Sequence, residues 1–302
     1  MLEILNGHKI FVTGMSGYVG SHLVRLMKKK GINPTSIHRC GVSGLQNKEK
    51  AAELAWDSLE HLSEILSRED APILINLAGH FINKHQQSDL LQLIEGNLGF
   101  SVMMFDAISK CSNASVINIG TSWELVNSAD QLPINLYSCL KASNSLIFRW
   151  YCENYGLKGI NLKLNDTYGG SDPRNKLIPY LKSFLYEKQI ASLGTPFQNL
   201  NLLHISDVCE GIIDAAIQST DYSPGECNSF SLLHTDNITI GDIVQIIKND
   251  VDVEFQVQFK GNGKGETRIL NHHSKILPNW QPSISPKAGL IDYFLDTHEY
   301  NV

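Results

Sequence analysis

Thr13-Gly14-Met15-Ser16-Gly17-Tyr18-Val19-Gly20 decides the fold. It follows a run of strand type, residues 9–13, and opens a segment in which Val19, Leu23, Leu26 and Met27 recur on one helical face. Such a strand–turn–helix unit needs glycine where the chain turns tightly, where backbone approaches a pyrophosphate, and where helix packs on strand. The helix start adds unpaired N–H groups and the positive end of its dipole. These features point to a dinucleotide site built on Gly14, Ser16, Gly17, Tyr18, Val19 and Gly20. The spacing is G-x-x-G-x-x-G rather than G-x-G-x-x-G, and a glycine-rich turn without a ligand is the plain alternative.

Outward from this turn, short β-type runs alternate with longer amphipathic segments as far as about residue 165. The expected strands are 9–13, 35–39, 73–78, 115–120 and 159–164, several of them continuous apolar runs of the kind covered on both faces. A second, looser helical stripe runs through Leu140, Asn144, Ile147, Phe148 and Tyr151. The alternation predicts an α/β protein with a Rossmann-like, doubly wound parallel sheet. From 165 to 174 Gly, Pro, Asn and Asp cluster; a helix is expected over 176–188, a strand and helix over 202–218, a helix near 239–249 and a strand near 252–258. The expected division is a dinucleotide-binding domain of residues 1–165, with a return segment at about 200–218. A smaller interleaved C-terminal substrate-binding lobe takes 166–199 and 219–302.

Composition bounds the function. A chain of 302 residues that is 42% apolar and 19% charged, with net charge −6, has enough apolar material to fold. No run approaches the roughly 20 apolar residues of a membrane span, and the N-terminus lacks the basic and long apolar regions of a signal peptide. The acidic balance argues against nucleic acid as the main partner. Cysteines 40, 111, 139, 152, 209 and 227 form no CxxC pair and read as free thiols, so the expected location is the cytoplasm. Eleven histidines, His272-His273 among them, make no HxxxH or His/Cys cluster, and no metal is expected.

Three further features carry chemistry. About twenty residues after the turn, an NAD site places an acid on the ribose; here Ser36-Ile37-His38-Arg39-Cys40 has none. Arg39 suits a 2′-phosphate instead, which favours NADPH/NADP+, against the plain reading of a solvated arginine. Tyr137 and Lys141 stand at i and i+4, on one helical face, where an ammonium favours ionisation of the phenol. Thr121 and Ser122 end the strand before that helix, where a hydroxyl can hold a substrate oxygen or simply cap a turn. His80 and Phe81 follow the 73–78 strand as pocket or loop residues; His204 reads as a packing residue.

Taken in order, Thr13–Gly20, Asn76-Leu77-Ala78-Gly79, Asn97, Thr121/Ser122, Tyr137/Lys141, Tyr168-Gly169, His204-Ile205-Ser206-Asp207 and Pro278-Asn279-Trp280-Gln281-Pro282 resemble the extended short-chain dehydrogenase/reductase superfamily, the NAD-dependent epimerase/dehydratase family. The resemblance implies Tyr137 as acid/base, Lys141 as its electrostatic and ribose-binding partner, and Thr121 or Ser122 as the third member. It also implies Asp57 and Ser58 near the adenine, and Leu77, Ala78, Gly79 and Asn97 at the cofactor. Departures narrow the choice. Ser122-Trp123 stand where 4,6-dehydratases carry Asp-Glu, Leu200 where many relatives carry a diphosphate-binding Arg, and Asp166 where the usual residue is Asn. Residues 166–179 and 120–123 look like the branch of CDP-abequose synthase-like and dTDP-4-keto-6-deoxyhexose reductases. In that branch Arg174 and Lys176 would meet the nucleotide diphosphate, and His80, Trp123 and Asp166 would line the sugar pocket. The implied activity is NADPH-dependent reduction of the C4 keto group of a nucleotide-linked 4-keto-6-deoxy sugar. The alternatives are a 4-epimerase or dehydratase with tightly bound NAD(P), and a non-catalytic NADP(H)-sensing regulator. A homodimer through helices near 89–110 and 137–155 is also implied.

Overall fold

In the computed structural model, residues 3–39, 51–124, 132–187, 190–251, 256–261 and 275–296 are described; Cys40, His272, His273 and the first part of the strand expected near 252–258 lie outside them. Along the chain run α1 (Glu3–Asn6), β1 (Ile10–Thr13), α2 (Tyr18–Lys29), β2 (Thr35–Arg39), β3 (Ala52–Trp56), α3 (Leu59–Leu66), β4 (Ile73–Asn76), α4 (Leu90–Ile94), α5 (Phe100–Ile108), β5 (Ser115–Thr121), α6 (Leu136–Tyr155) and β6 (Lys158–Leu164). There follow β7 (Asp166–Tyr168), α7 (Leu177–Glu187), β8 (Ala191–Leu193), β9 (Asn199–Leu200), β10 (Leu202–His204), α8 (Ile205–Thr220), β11 (Cys227–Leu232), β12 (Ile238–Thr239), α9 (Ile240–Asn249), β13 (Val257–Phe259) and α10 (Pro286–Leu295).

Seven strands form one parallel sheet in the order β11-β6-β5-β4-β1-β2-β3. Its inner strands alternate between two apolar layers. Val12, Ile75, Ile117 and Ile160 meet Leu23 and Met27 of α2 and Val208 and Ile212 of α8. Phe11, Leu74 and Val116 meet Leu62 of α3, Phe105 of α5 and Phe148 of α6. Helices on both faces make this the doubly wound, Rossmann-like arrangement expected. The chain turns from one half of the sheet to the other between β1 and β4, so the crevice beyond their C-terminal ends is where such sheets bind ligands. A third apolar cluster gathers Leu181 of α7, Ile243 and Ile247 of α9 and Leu290 of α10 around Tyr168.

Two sheet strands were not expected. β3 is an edge strand with mostly exposed residues, so it lacks the apolar alternation that marks a strand. β11 pairs along its length with β6 and is the other edge of the main sheet, although it falls within the 219–302 stretch read as the substrate lobe.

A belt of buried amides crosses the sheet. Thr13, Asn76, Asn118 and Asn161 face one another in register on β1, β4, β5 and β6. Thr13 Oγ1 donates to Asn76 (2.9 Å), Asn76 to Asn118 (3.0 Å), and Asn118 to both Asn161 (2.9 Å) and Asn144 of α6 (2.8 Å). Asn144 donates onward to the Asn97 carbonyl (3.1 Å) in the π-helical turn Glu95–Gly99 between α4 and α5. Asn144 thus breaks the apolar stripe read from the sequence in order to complete a polar one.

Among the described residues, cysteines 111, 139, 152, 209 and 227 are unbridged, no helix is long and apolar enough to cross a membrane, and no group of three or more His, Cys, Asp or Glu is placed to hold a metal ion.

Candidate active site

The glycine turn packs by contact. Gly14 has φ +68°, and a Cβ there would meet the Leu77–Ala78 backbone at 2.9 Å; a Cβ on Gly20 would run into the Gly14 carbonyl. β1, the end of β4 and the start of α2 therefore come together only with glycine at these two positions. No side chain caps α2 at Gly17, and Gly17, Tyr18 and Val19 all line a cavity of about 790 Å³. Open backbone at a helix start suits a dinucleotide pyrophosphate. Leu77 and Gly79 continue the same wall.

Opposite stands the start of α6. Asn135 and Ser138 form a reciprocal cap, each side chain bonded to the other's backbone N–H (2.9 and 3.0 Å). The cap places Tyr137 in the first turn of α6 and Lys141 one turn later, both on the cavity wall. Thr121, the last residue of β5, joins them there, and its Oγ1 accepts from the Trp123 N–H (3.3 Å). Ser122 does not line the cavity; its buried hydroxyl has no hydrogen-bond partner among the described residues. Of the two hydroxyls the sequence left open, the wall takes Thr121.

Burial acts on Tyr137 and Lys141 in opposite senses. It raises the phenol, with the Glu124 carboxylate adding to the rise and Arg174 opposing it. It lowers the Lys141 ammonium to about 8, with Glu124 opposing. The sequence predicts a phenol made acidic by its lysine; in the site desolvation, with Glu124, outweighs the Arg174 charge and favours the protonated phenol.

The cations Arg174 and Lys176 also line the cavity, with Asp166. Arg174 is already braced: it pairs with Asp172 (2.7 Å), donates to Thr167 Oγ1 (3.0 Å) and lies 3.8 Å over the Tyr18 ring. Lys176 sits 3.5 Å over the Phe81 ring and 5.0 Å from that of Trp123. Phe81 in turn meets Tyr137 edge-on, with centroids 5.1 Å apart. Burial lowers Lys176 and raises Asp166, and the charges of Arg174 and Lys176 pull Asp166 back down.

Several expected residues lie off this wall. Ser16 is exposed. Arg39 is exposed at the end of β2, 5.3 Å over the Trp56 ring, with its guanidinium donating to the Met103 sulfur (3.3 Å). Ser58 caps α3, and Asp57 pairs with His61 (2.8 Å). Ala78 donates its N–H to Thr13 (3.1 Å), and the buried Asn97 side chain bonds both the N–H (3.0 Å) and the carbonyl (2.8 Å) of His80, fixing the loop after β4. Sequence reasoning missed Tyr180 on α7, Ser192–Gly194 at β8, Gln198 before β9 and Ile240 on α9, which line the same cavity and carry no motif.

A model of the NAD dependent epimerase/dehydratase family matches residues 10–228. The chain belongs to this family. Among curated members, it is 29% identical over 251 residues to the CDP-abequose synthase of Yersinia pseudotuberculosis, covering 81% of this chain and 85% of that protein. The CDP-abequose synthase of Salmonella typhimurium is 28% identical, over 60% of each chain. Among solved structures, UDP-glucose 4-epimerase from Brucella ovis in complex with NAD superposes with a TM-score of 0.78 at 17% identity, over 95% of this chain and 97% of that one. The epimerase/dehydratase fold thus extends over nearly the whole chain.

Proposed function

We propose that the protein uses NADPH to reduce the C4 keto group of a nucleotide-linked 4-keto-6-deoxy sugar. The observation that carries this reading is the meeting of Thr121, Tyr137 and Lys141 on the wall of the cavity that also holds the glycine turn. NADPH, when bound along Gly14–Gly20 and Leu77–Gly79, supplies the hydride. Tyr137, kept protonated by burial, gives its proton to the developing C4 alkoxide. Thr121 Oγ1 accepts from Trp123, which leaves its own proton to donate to the same oxygen. Lys141 orients the ribose. Arg174 and Lys176 face the diphosphate, while Trp123, Asp166 and the His80–Phe81 loop border the sugar. Arg39, at a strand end with no acid, meets the 2′-phosphate, and Asp57-Ser58 border the adenine.

The CDP-abequose synthase relatives support a nucleotide sugar as substrate and the reductase branch as the place within the family. In this reading residues 166–199 and 219–302, apart from β11, serve as the substrate lobe. The apolar residues left exposed on α4 and α6, Leu91 (74%), Leu146 (71%) and Trp150 (49%), are where a second copy packs. The test is NADPH oxidation, followed optically, against CDP-, dTDP-, GDP- and UDP-linked 4-keto-6-deoxy sugars. Stoichiometric oxidation with at least one is expected; none with any of them would overturn the reading. The NAD held by a solved relative favours a second one, epimerisation or dehydration with a recycled cofactor. A nicotinamide that co-purifies with the protein, with no net NADPH consumed, would select it.

A further inference from the structure

Glu124 has no place in the roles assigned so far, yet its buried carboxylate is bonded to three residues, one of them Thr121 on the cavity wall. It ends the short helical turn Ser122–Glu124, and its side chain is 1% exposed. Its carboxylate joins three elements. One oxygen accepts from the Thr121 backbone N–H (2.7 Å) at the end of β5; the other accepts from Ser145 Oγ (3.0 Å) on α6 and from Lys163 Nζ (2.7 Å) on β6. The position depends on Gly120, because a Cβ there would strike the Glu124 carboxylate. A carboxylate is tolerated in an interior only when paired and hydrogen-bonded, and this one is both.

We propose that Glu124 is a positioning residue: braced by Lys163 and Ser145, it holds Thr121 at the cavity wall and supplies a fixed negative charge to Tyr137 and Lys141. The proposal rests on the reading of Tyr137 as proton donor. The charged groups acting on the pair are few. Glu124 and Arg174 act on Tyr137, Glu124 acts on Lys141, Lys163 is bonded to Glu124 itself, and Lys176 reaches Tyr137 through Phe81. At both sites the carboxylate favours the proton-bearing form, phenol and ammonium, which are the forms a reductive proton donor and its partner require.

The experiment is competitive acetylation of Lys141 in the cofactor-free protein across pH, read by peptide mass spectrometry. The unmodified chain should show half-reactivity near pH 8. In Glu124→Gln, the amide can still accept from Thr121, but the charge is gone and the midpoint should fall by about one pH unit. That variant leaves Lys163 without its carboxylate, so Glu124→Gln/Lys163→Met, which buries no unpaired charge, is measured beside it and should shift in the same direction. The alkaline limb of kcat/KM should move with the labelling. A folded variant whose midpoint matches the unmodified chain, even with reduced thermal stability and turnover, overturns the proposal. Labelling needs no substrate, so a failure of the reductase reading would show separately, as activity retained in Tyr137→Phe.

Discussion

Burial leaves Tyr137 a stronger holder of its proton and Lys141 a weaker one, although they stand one helical turn apart. A phenol in that state is suited to giving a proton only as negative charge develops on a bound oxygen. Tyr137→Phe is therefore expected to lower kcat by roughly 10²–10⁴-fold while NADPH affinity, measured by fluorescence titration, stays within about twofold. Arg39 lies outside the cavity wall, on Trp56, and its effect should be confined to the cofactor: Arg39→Ala is expected to weaken NADPH about tenfold and leave NADH unchanged. The residues legible in the sequence are those whose partners are local. Tyr137 and Lys141 are joined by helical spacing, and the turn glycines by a single strand–turn–helix unit. Glu124 was not legible, because its ion-pair partner is 39 residues away, on β6.

The same distinction holds among elements. The buried strands β1 and β4 announce themselves by apolar runs, whereas β3 is exposed and its pairing with β2 comes from the sheet alone. Asn118 and Asn161 fall inside strands expected from the sequence, but only the parallel register brings their amides together with Asn76. Asn118 is the hub of that belt, bonded to Asn76, Asn144 and Asn161. Asn118→Leu would leave several buried amide groups unpaired at once. Urea denaturation should show a loss of about 3 kcal/mol, and an apolar side chain of similar size should give no compensating gain.

For the molecule as a whole, the proposed packing through α4 and α6 predicts sedimentation at twice the 33.6 kDa of one chain. Leu146→Glu/Trp150→Glu should sediment as a single chain, and an unmodified protein that does so would remove the proposal. The burial of Lys141 also reaches beyond the site. Its folded value of about 8 lies below the ordinary 10.5, so between those pH values the unfolded chain binds more protons than the folded one. Lys141 should therefore make a contribution to stability that rises with pH across that window, by about 3 kcal/mol in the limit, against the opposite contribution of buried thiols and phenols such as Cys209 and Tyr137, while turnover falls as the ammonium is lost. The thermal-midpoint difference between the unmodified chain and Lys141→Met, and the kcat/KM of the unmodified chain, both measured from pH 7 to 10.5, should slope in opposite directions. An anionic ligand beside the ammonium would raise its value and reverse the first slope, so a filled site turns Lys141 from a group that costs stability, at the pH where the protein works, into one that adds to it.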